Sequence, residues 1–128
     1  MAYLLDTNVA IDLRDGVEAT MEKIEALPGG VLLSIVTRIE LEGGVVREPS
    51  QAERRRQRLD ALLAGVAILA FDETCADAYR SIVEAAGYSR RKLLDRMIAA
   101  QALVHRAVLV TRNAQDFRDI PGLELLEW

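Results

Sequence analysis

The sequence is poor in several side chains that carry chemistry elsewhere. It holds one cysteine, one histidine, one tryptophan and 5% aromatic residues among 128. A lone Cys75 cannot form an internal disulfide, and no His/Cys cluster exists to hold thiolate zinc. Cys75 therefore reads as a small core residue in a chain suited to a reducing, cytoplasmic compartment. No apolar run approaches the ~20 residues needed to span a bilayer. No basic stretch followed by an apolar one and a cleavage site opens the chain, so neither a membrane segment nor a signal peptide is expected. Lysine is scarce as well, supplying two of the 16 basic residues. The resulting arginine excess, with much Ala, Gly and Val, matches a GC-rich coding sequence and does not by itself signal RNA recognition. The net charge of −4 weighs against a polyanionic partner.

What is present is a half-apolar chain of a length that buries one core, so residues 1–128 are expected to form a single domain. Short apolar runs predict strands at Tyr3–Leu5, Val31–Ser34, Val66–Phe71, Val108–Val110 and Leu123–Leu126. Helical periodicity predicts a short helix over Val9–Leu13, then Val17–Leu27, Thr37–Arg47, Gln51–Ala64, Glu73–Ala86 and about Lys92–Arg106, with a turn of helix near Ala114–Arg118. Strands separated by helices imply right-handed crossovers: an α/β sandwich with a mainly parallel sheet of about five short strands and helices on both faces. Ligands in such sheets sit outside the carboxyl ends of the strands. Asp6, the Thr37–Glu40 segment and the Thr111–Asp116 segment all fall there.

Each of these acids has a plain structural reading. Asp6 is a good N-cap, Thr37-Arg38-Ile39-Glu40 reads as a capping box, and Asn113 to Asp116 reads the same way. Asp72, after another strand, serves as an internal control that only caps. Asp95 is different. In "KLLDRMIAAQALVH" it shares a helical face with Ile98, Ala99 and Ala102. A carboxylate on an apolar stripe needs a partner or a metal, and Arg91 and Lys92 lie one turn earlier as possible partners. Should Asp6, Glu40, Asp95 and Asp116 meet, four like charges would call for a cation, and an oxygen-only donor set selects Mg²⁺ or Mn²⁺. Setting those four acids aside leaves 16 acids against 16 Lys plus Arg, so the net charge no longer argues against a nucleic-acid substrate.

The same stretches resemble the PIN domain, in particular the VapC-type toxins of bacterial toxin–antitoxin pairs. "LLDTNVAIDL", "TRIELEGG", "DRMIAAQALVH" and "LVTRNAQDF" look like that family's four motifs, and "IPGLELLEW" looks like its last strand. One such motif is weak; four in order across the whole chain are specific. The resemblance implies a PIN-like three-layer sandwich and a divalent-metal-dependent ribonuclease using Mg²⁺ or Mn²⁺. It implies Asp6, Glu40, Asp95 and Asp116 as the catalytic and metal-holding quartet, with Thr7, Asn8, Thr111 and Asn113 as polar supports. It further implies a homodimer and a cognate antitoxin protein as partner. Two positions depart from the pattern: Arg96 follows Asp95 where a small or apolar residue is common, and Gly43 precedes the expected Gly44.

For RNA phosphates, Arg90, Arg91 and Arg112 are the candidates nearest the motifs. Arg54, Arg55, Arg56 and Arg58 cannot form one stripe, since consecutive helical residues point apart, and they read as a solvated face pairing with Glu48 and Glu53. Leu59, Leu62 and Leu63 fit either core or interface. His105 lies away from every motif and reads as packing. Two other functions compete. A haloacid-dehalogenase-like phosphatase needs a second Asp two residues after the first, where this chain has Asn8, and a phosphate-binding lysine that neither Lys23 nor Lys92 supplies. A silent PIN-fold module binding RNA or antitoxin would have no need of all four acids.

Overall fold

The computed structural model describes residues 1–128. Five strands, β1 (Ala2–Leu5), β2 (Gly30–Ser34), β3 (Ala67–Leu69), β4 (Val108–Thr111) and β5 (Leu125–Glu127), form one parallel sheet in the order β3-β2-β1-β4-β5. The helices are α1 (Thr7–Asp15), α2 (Glu18–Glu25), α3 (Ile35–Arg47), α4 (Ala52–Ala64), α5 (Glu73–Ala86) and α6 (Leu93–His105), with 3₁₀ turns at Pro49–Gln51 and Ala114–Phe117. The chain winds outward from β1 through β2 to β3, then returns to place β4 against the other side of β1. The order therefore reverses between β1 and β4, the place where open α/β sheets bind ligands.

Alternation along the strands splits the core in two. Leu4 and Leu109 point to one face, where they pack with Ile82 of α5 and with Ile98, Ala99 and Ala102 of α6. Tyr3, Leu5, Leu33 and Val110 point to the other, against Val9 of α1, Leu41 and Val45 of α3 and Leu59 of α4. The three-layer sandwich expected from the sequence is present. Leu59 is fully buried, and Leu62 and Leu63 pack against the same cluster, so these leucines belong to the core.

Several boundaries moved, each for a local reason. α1 runs from Thr7 rather than Val9 because Asp6 caps it, and it stops at Gly16, whose left-handed backbone (φ 73°) closes it. α2 is shorter than Val17–Leu27 and has no side-chain cap. α3 begins at Ile35 rather than Thr37, because Ser34 is the true cap and its hydroxyl accepts from Val36 N at 2.9 Å. The Thr37–Glu40 capping box therefore does not form. Pro49 starts a separate 3₁₀ turn ahead of α4. β3 is three residues, not six: the carbonyls of Leu69 and Ala70 accept from the Gln101 amide instead of extending the ladder. β5 begins at Leu125, not Leu123, and its Glu127 pairs with Thr111. α5 matches its expected span, ending at Gly87.

Candidate active site

Asp6 lies directly after β1, at the reversal of the sheet, and is 4% exposed. Its backbone N–H still donates to Val110, so the ladder fixes its position. Its two carboxylate oxygens divide the work. Oδ1 accepts from Thr7 N at 2.8 Å, while Oδ2 accepts from the buried Thr111 hydroxyl at 2.7 Å. The second bond joins the ends of β1 and β4 across the reversal. Thr111 also accepts from Asn113 N at 3.0 Å, which shapes the loop leading to Asp116. Burial raises the Asp6 pKa above its usual value, the Thr111 and Thr7 bonds oppose that rise, and the charge of Asp116 adds to it.

Glu40 reaches the same end from the middle of α3. Thr7 Oγ1 donates to Glu40 Oε1 at 2.7 Å, and the Thr7 and Thr37 hydroxyls lie 2.9 Å apart. With its one proton committed to Glu40, Thr7 accepts from Thr37. Thr37 therefore belongs to the site as the tail of a hydroxyl relay, not to a helix cap. Only its position three residues before Glu40 hinted at this, and that spacing was equally a capping signature.

Asp95 is the third residue of α6, so it lies in the first turn, where the helix dipole favours a carboxylate. It nonetheless makes no capping hydrogen bond. The partners expected from sequence are also elsewhere: Lys92 lies 3.8 Å from Asp119, and Arg91 forms no ion pair. Burial, and then the charges of Asp6, Asp116 and Glu40, push the Asp95 pKa up to about 6; only Arg91 opposes them, weakly. Three carboxylates from α3, the β1 end and the Ala114–Phe117 turn are thus close enough to be felt at the fourth. Ala99, Ala100 and Ala102 are buried, so α6 packs close to the sheet and brings Asp95 inward.

The four acids form a cluster rather than a finished cage: no three of them converge as ligands in the present rotamers. Asp6 is held by two hydrogen bonds, whereas Asp95 and Asp116 accept none through their side chains. The donor set is all oxygen and like-charged, which fits a hard divalent cation. Asn8 adds a buried carbonyl oxygen, Oδ1, that accepts from nothing. Asn113 is exposed and its side chain caps nothing, so the capping reading of Asn113 to Asp116 fails as well. Asp72, the control, does cap: its Oδ1 accepts from Cys75 N at 3.0 Å, and that bond holds its pKa below the usual value.

The arginines separate by environment. Arg112 is engaged, with Nη1 2.9 Å from Asp12 and Nη2 donating to the Asn8 carbonyl. Arg90 and Arg91 are exposed in the turn before α6. Arg96, the apparent departure after Asp95, is 3% exposed and donates to the Gly87 carbonyl and to Asp119, tying α6 to the end of α5 and to the loop after Phe117. Arg56 pairs with Glu42 and Asp60, not with Glu48 or Glu53. His105 is exposed at the far end of α6.

Sequence reasoning passed over Gln101. It is fully buried one face behind the acids. Its amide donates at 3.0 Å to both Leu69 and Ala70 carbonyls, and its oxygen accepts from Ser34. These bonds fix the axial position of α6 on β2 and β3, hence the depth of Asp95. An amide within an alanine-rich stripe was the available signal.

A model of the PIN domain family matches residues 3–123. The ribonuclease VapC2 of Rickettsia felis is 29% identical, over all of this chain and 98% of that protein. The structure of VapBC2 from Rickettsia felis, bound to a DNA fragment from its promoter, superposes with a TM-score of 0.87 at 27% identity, covering 100% of this chain and 99% of the other. A toxin–antitoxin complex from Klebsiella pneumoniae superposes with a TM-score of 0.72 at 30% identity, covering 97% and 95%.

Proposed function

The chain belongs to the PIN domain family, and from that premise we propose that it is a divalent-metal-dependent ribonuclease, the toxin of a VapBC-type toxin–antitoxin pair. The observation that supports the reading is the clustering of Asp6, Glu40, Asp95 and Asp116 near the carboxyl ends of the strands, with Asp6 tied to Thr111 across the sheet reversal and Glu40 tied to Thr7 beside it. Its likeness to the Rickettsia felis ribonuclease and to the Klebsiella pneumoniae toxin–antitoxin complex supports the activity and the partner.

Asp6 and Asp95 would hold the ion, with Asp116 and Glu40 as the further carboxylates available to it. A bound Mg²⁺ or Mn²⁺ supplies a lowered water pKa and charge neutralisation at the scissile phosphate. Thr111 locks the Asp6 carboxylate in one orientation, so that site is pre-organised before substrate arrives. The Thr37–Thr7 relay orients Glu40 and leaves its second oxygen free to take the proton of the attacking water. In the hydrolysis the water oxygen bonds to phosphorus as one P–O bond of the RNA chain breaks; the proton lost by the water passes to a carboxylate, and the departing oxygen takes up a proton to leave as a hydroxyl.

The test is cleavage of total cellular RNA with end mapping. Activity is expected to vanish in EDTA, to return with Mg²⁺ or Mn²⁺, and to be lost in a folded Asp6→Asn variant. A fully active Asp6→Asn enzyme would sink the assignment.

A further inference from the structure

A cavity of about 360 Å³ opens between α1, α3 and α4, and Thr7 and Glu40 form part of its wall. It therefore begins at the hydroxyl–carboxylate pair of the acidic site. Away from that pair its lining turns basic, with Arg14, Arg47 and Arg55. Arg55 and Asp15 are shared with a second cavity of about 240 Å³, which continues to Arg54 and Arg58 and has no hydrophobic residue in its wall. The two cavities adjoin at Asp15 and Arg55, so five guanidinium groups line a trough that begins at the acidic site.

Arg14 is the unusual member. Its side chain is 4% exposed, yet it has a single carboxylate neighbour: Nε lies 2.9 Å from Asp15 Oδ1. Its Nη1 and Nη2 donate to no group in the chain. A buried guanidinium presents five donors and is costly when they go unused. These terminal donors edge the cavity and stay accessible from it. The neighbouring backbone leaves room for them. A Cβ on Gly44 would stand 3.4 Å from Arg14 Nη1, and the Gly44 carbonyl is the acceptor that anchors Arg55 at 2.7 Å. Arg58 is similarly anchored on the Asp15 carbonyl. Arg47 and Arg54 are exposed and form no ion pair. Arg56, by contrast, turns out of the trough to Glu42 and Asp60.

We propose that this trough binds the backbone phosphates of the RNA strand flanking the scissile bond; the inference rests on the ribonuclease reading and extends the same site. A strand whose reacting phosphate lies at the acids continues naturally into the cavity that Glu40 borders. Guanidinium forks match phosphate oxygens two at a time. The arginines also offset the repulsion that four carboxylates exert on an approaching polyanion. A protein segment would need apolar anchors; the outer half of the trough offers none, and the apolar wall of Leu13, Ala61 and Leu62 belongs to a separate cavity on the far side of Arg14 and Arg58.

The experiment measures binding of a fluorescein-labelled 20-nucleotide single-stranded RNA of mixed sequence, by anisotropy across a salt series. It uses the full chain with Asp95→Asn to suppress cleavage. Arg47→Gln with Arg54→Gln removes two exposed cations and no internal bond. Loss of two contacts to a single strand is expected to flatten the log–log salt slope by about 1.4 and weaken binding about 25-fold at 0.1 M salt. The control pair, Arg80→Gln with Arg106→Gln, removes equal charge from α5 and the end of α6 and should leave the slope unchanged. Equal losses in both pairs, or an unchanged slope in the trough pair, overturn the proposal. So does an oligoglutamate peptide that binds the parent but not the trough pair while RNA affinity stays constant, since the trough would then receive an acidic protein segment. RNA bound with the full slope but never cut by the chain with all four acids supports the trough and sinks the ribonuclease reading. Cleavage by the trough pair at the parent rate and salt dependence does the reverse.

Discussion

The two faces of the sheet are built from different materials. On one, α6 packs through alanines, Ile98 and one buried amide, beside Ile82 of α5. On the other, α1, α3 and α4 bury leucine and valine beneath an arginine-rich surface. The alanine face permits close approach and is locked by Gln101, so it sets the depth of Asp95. The arginine face carries Glu40 and the trough. The acids lie where the faces meet, at the strand ends, with one face serving placement and the other serving access.

Breaking the lock should have the largest effect on stability. Gln101→Leu leaves the half-buried Leu69 carbonyl and the proton of the buried Ser34 hydroxyl without a donor or acceptor opposite them, and takes one bond from the exposed Ala70 carbonyl. A loss of about 2–3 kcal/mol is expected in urea unfolding. Cleavage should fall further than the stability loss explains, because α6 loses its anchor. Gln101→Leu with wild-type stability and activity would show that alanine packing alone places Asp95.

A smaller effect of opposite sign is expected at Asp95 itself. Its folded-state pKa of about 6 lies above the ordinary 3.8, so the folded protein holds this proton more tightly than the unfolded chain. Stability is therefore lost as pH rises from about 4 to about 6, and the whole penalty is present above that. Asp95→Asn should stabilise the protein in EDTA at pH 7.5 by about 1 kcal/mol, well under the full linkage value because the half-buried group is screened by solvent. The gain should vanish at pH 4. Saturating Mn²⁺ should reverse it, since only the wild type is then stabilised by binding.

The smallest test contrasts two neighbours on the arginine face. A Cβ on Gly43 meets open space, whereas one on Gly44 would come into contact with Arg14 Nη1 at 3.4 Å. Gly43→Ala should raise stability by up to about 1 kcal/mol through helix propensity. Gly44→Ala should gain less and should weaken RNA binding, which thermal unfolding and anisotropy would separate.

The layering was legible in the sequence because apolar runs and helical periods are local signals. α5 lay between two good markers, Asp72 and Gly87, and its limits were readable. The start of α3 was not, because Ser34 looked like the last residue of a strand and Thr37 carried a stronger capping pattern. Tertiary contact overrode that pattern by turning Thr37 toward Thr7. The acids were marked as candidates by their motifs, but the bond from Thr111 to Asp6 spans 105 positions and leaves no trace in spacing. The arginine run was read rightly as pointing several ways, though its partners were misplaced. Arg14, one helix away, had no motif to mark it.

Two acids at helix starts, Asp72 at the cap of α5 and Asp95 in the first turn of α6, make the central claim testable. Asp72 is held low by the N–H it caps; Asp95 is held high by burial and by three other carboxylates. The direct measurement is calorimetric titration of Mn²⁺ into the wild type, Asp95→Asn and Asp72→Asn. The account predicts binding by the wild type and by Asp72→Asn, and a loss of at least tenfold, about 1.4 kcal/mol, in Asp95→Asn. Undiminished Mn²⁺ binding by a folded Asp95→Asn protein would contradict it.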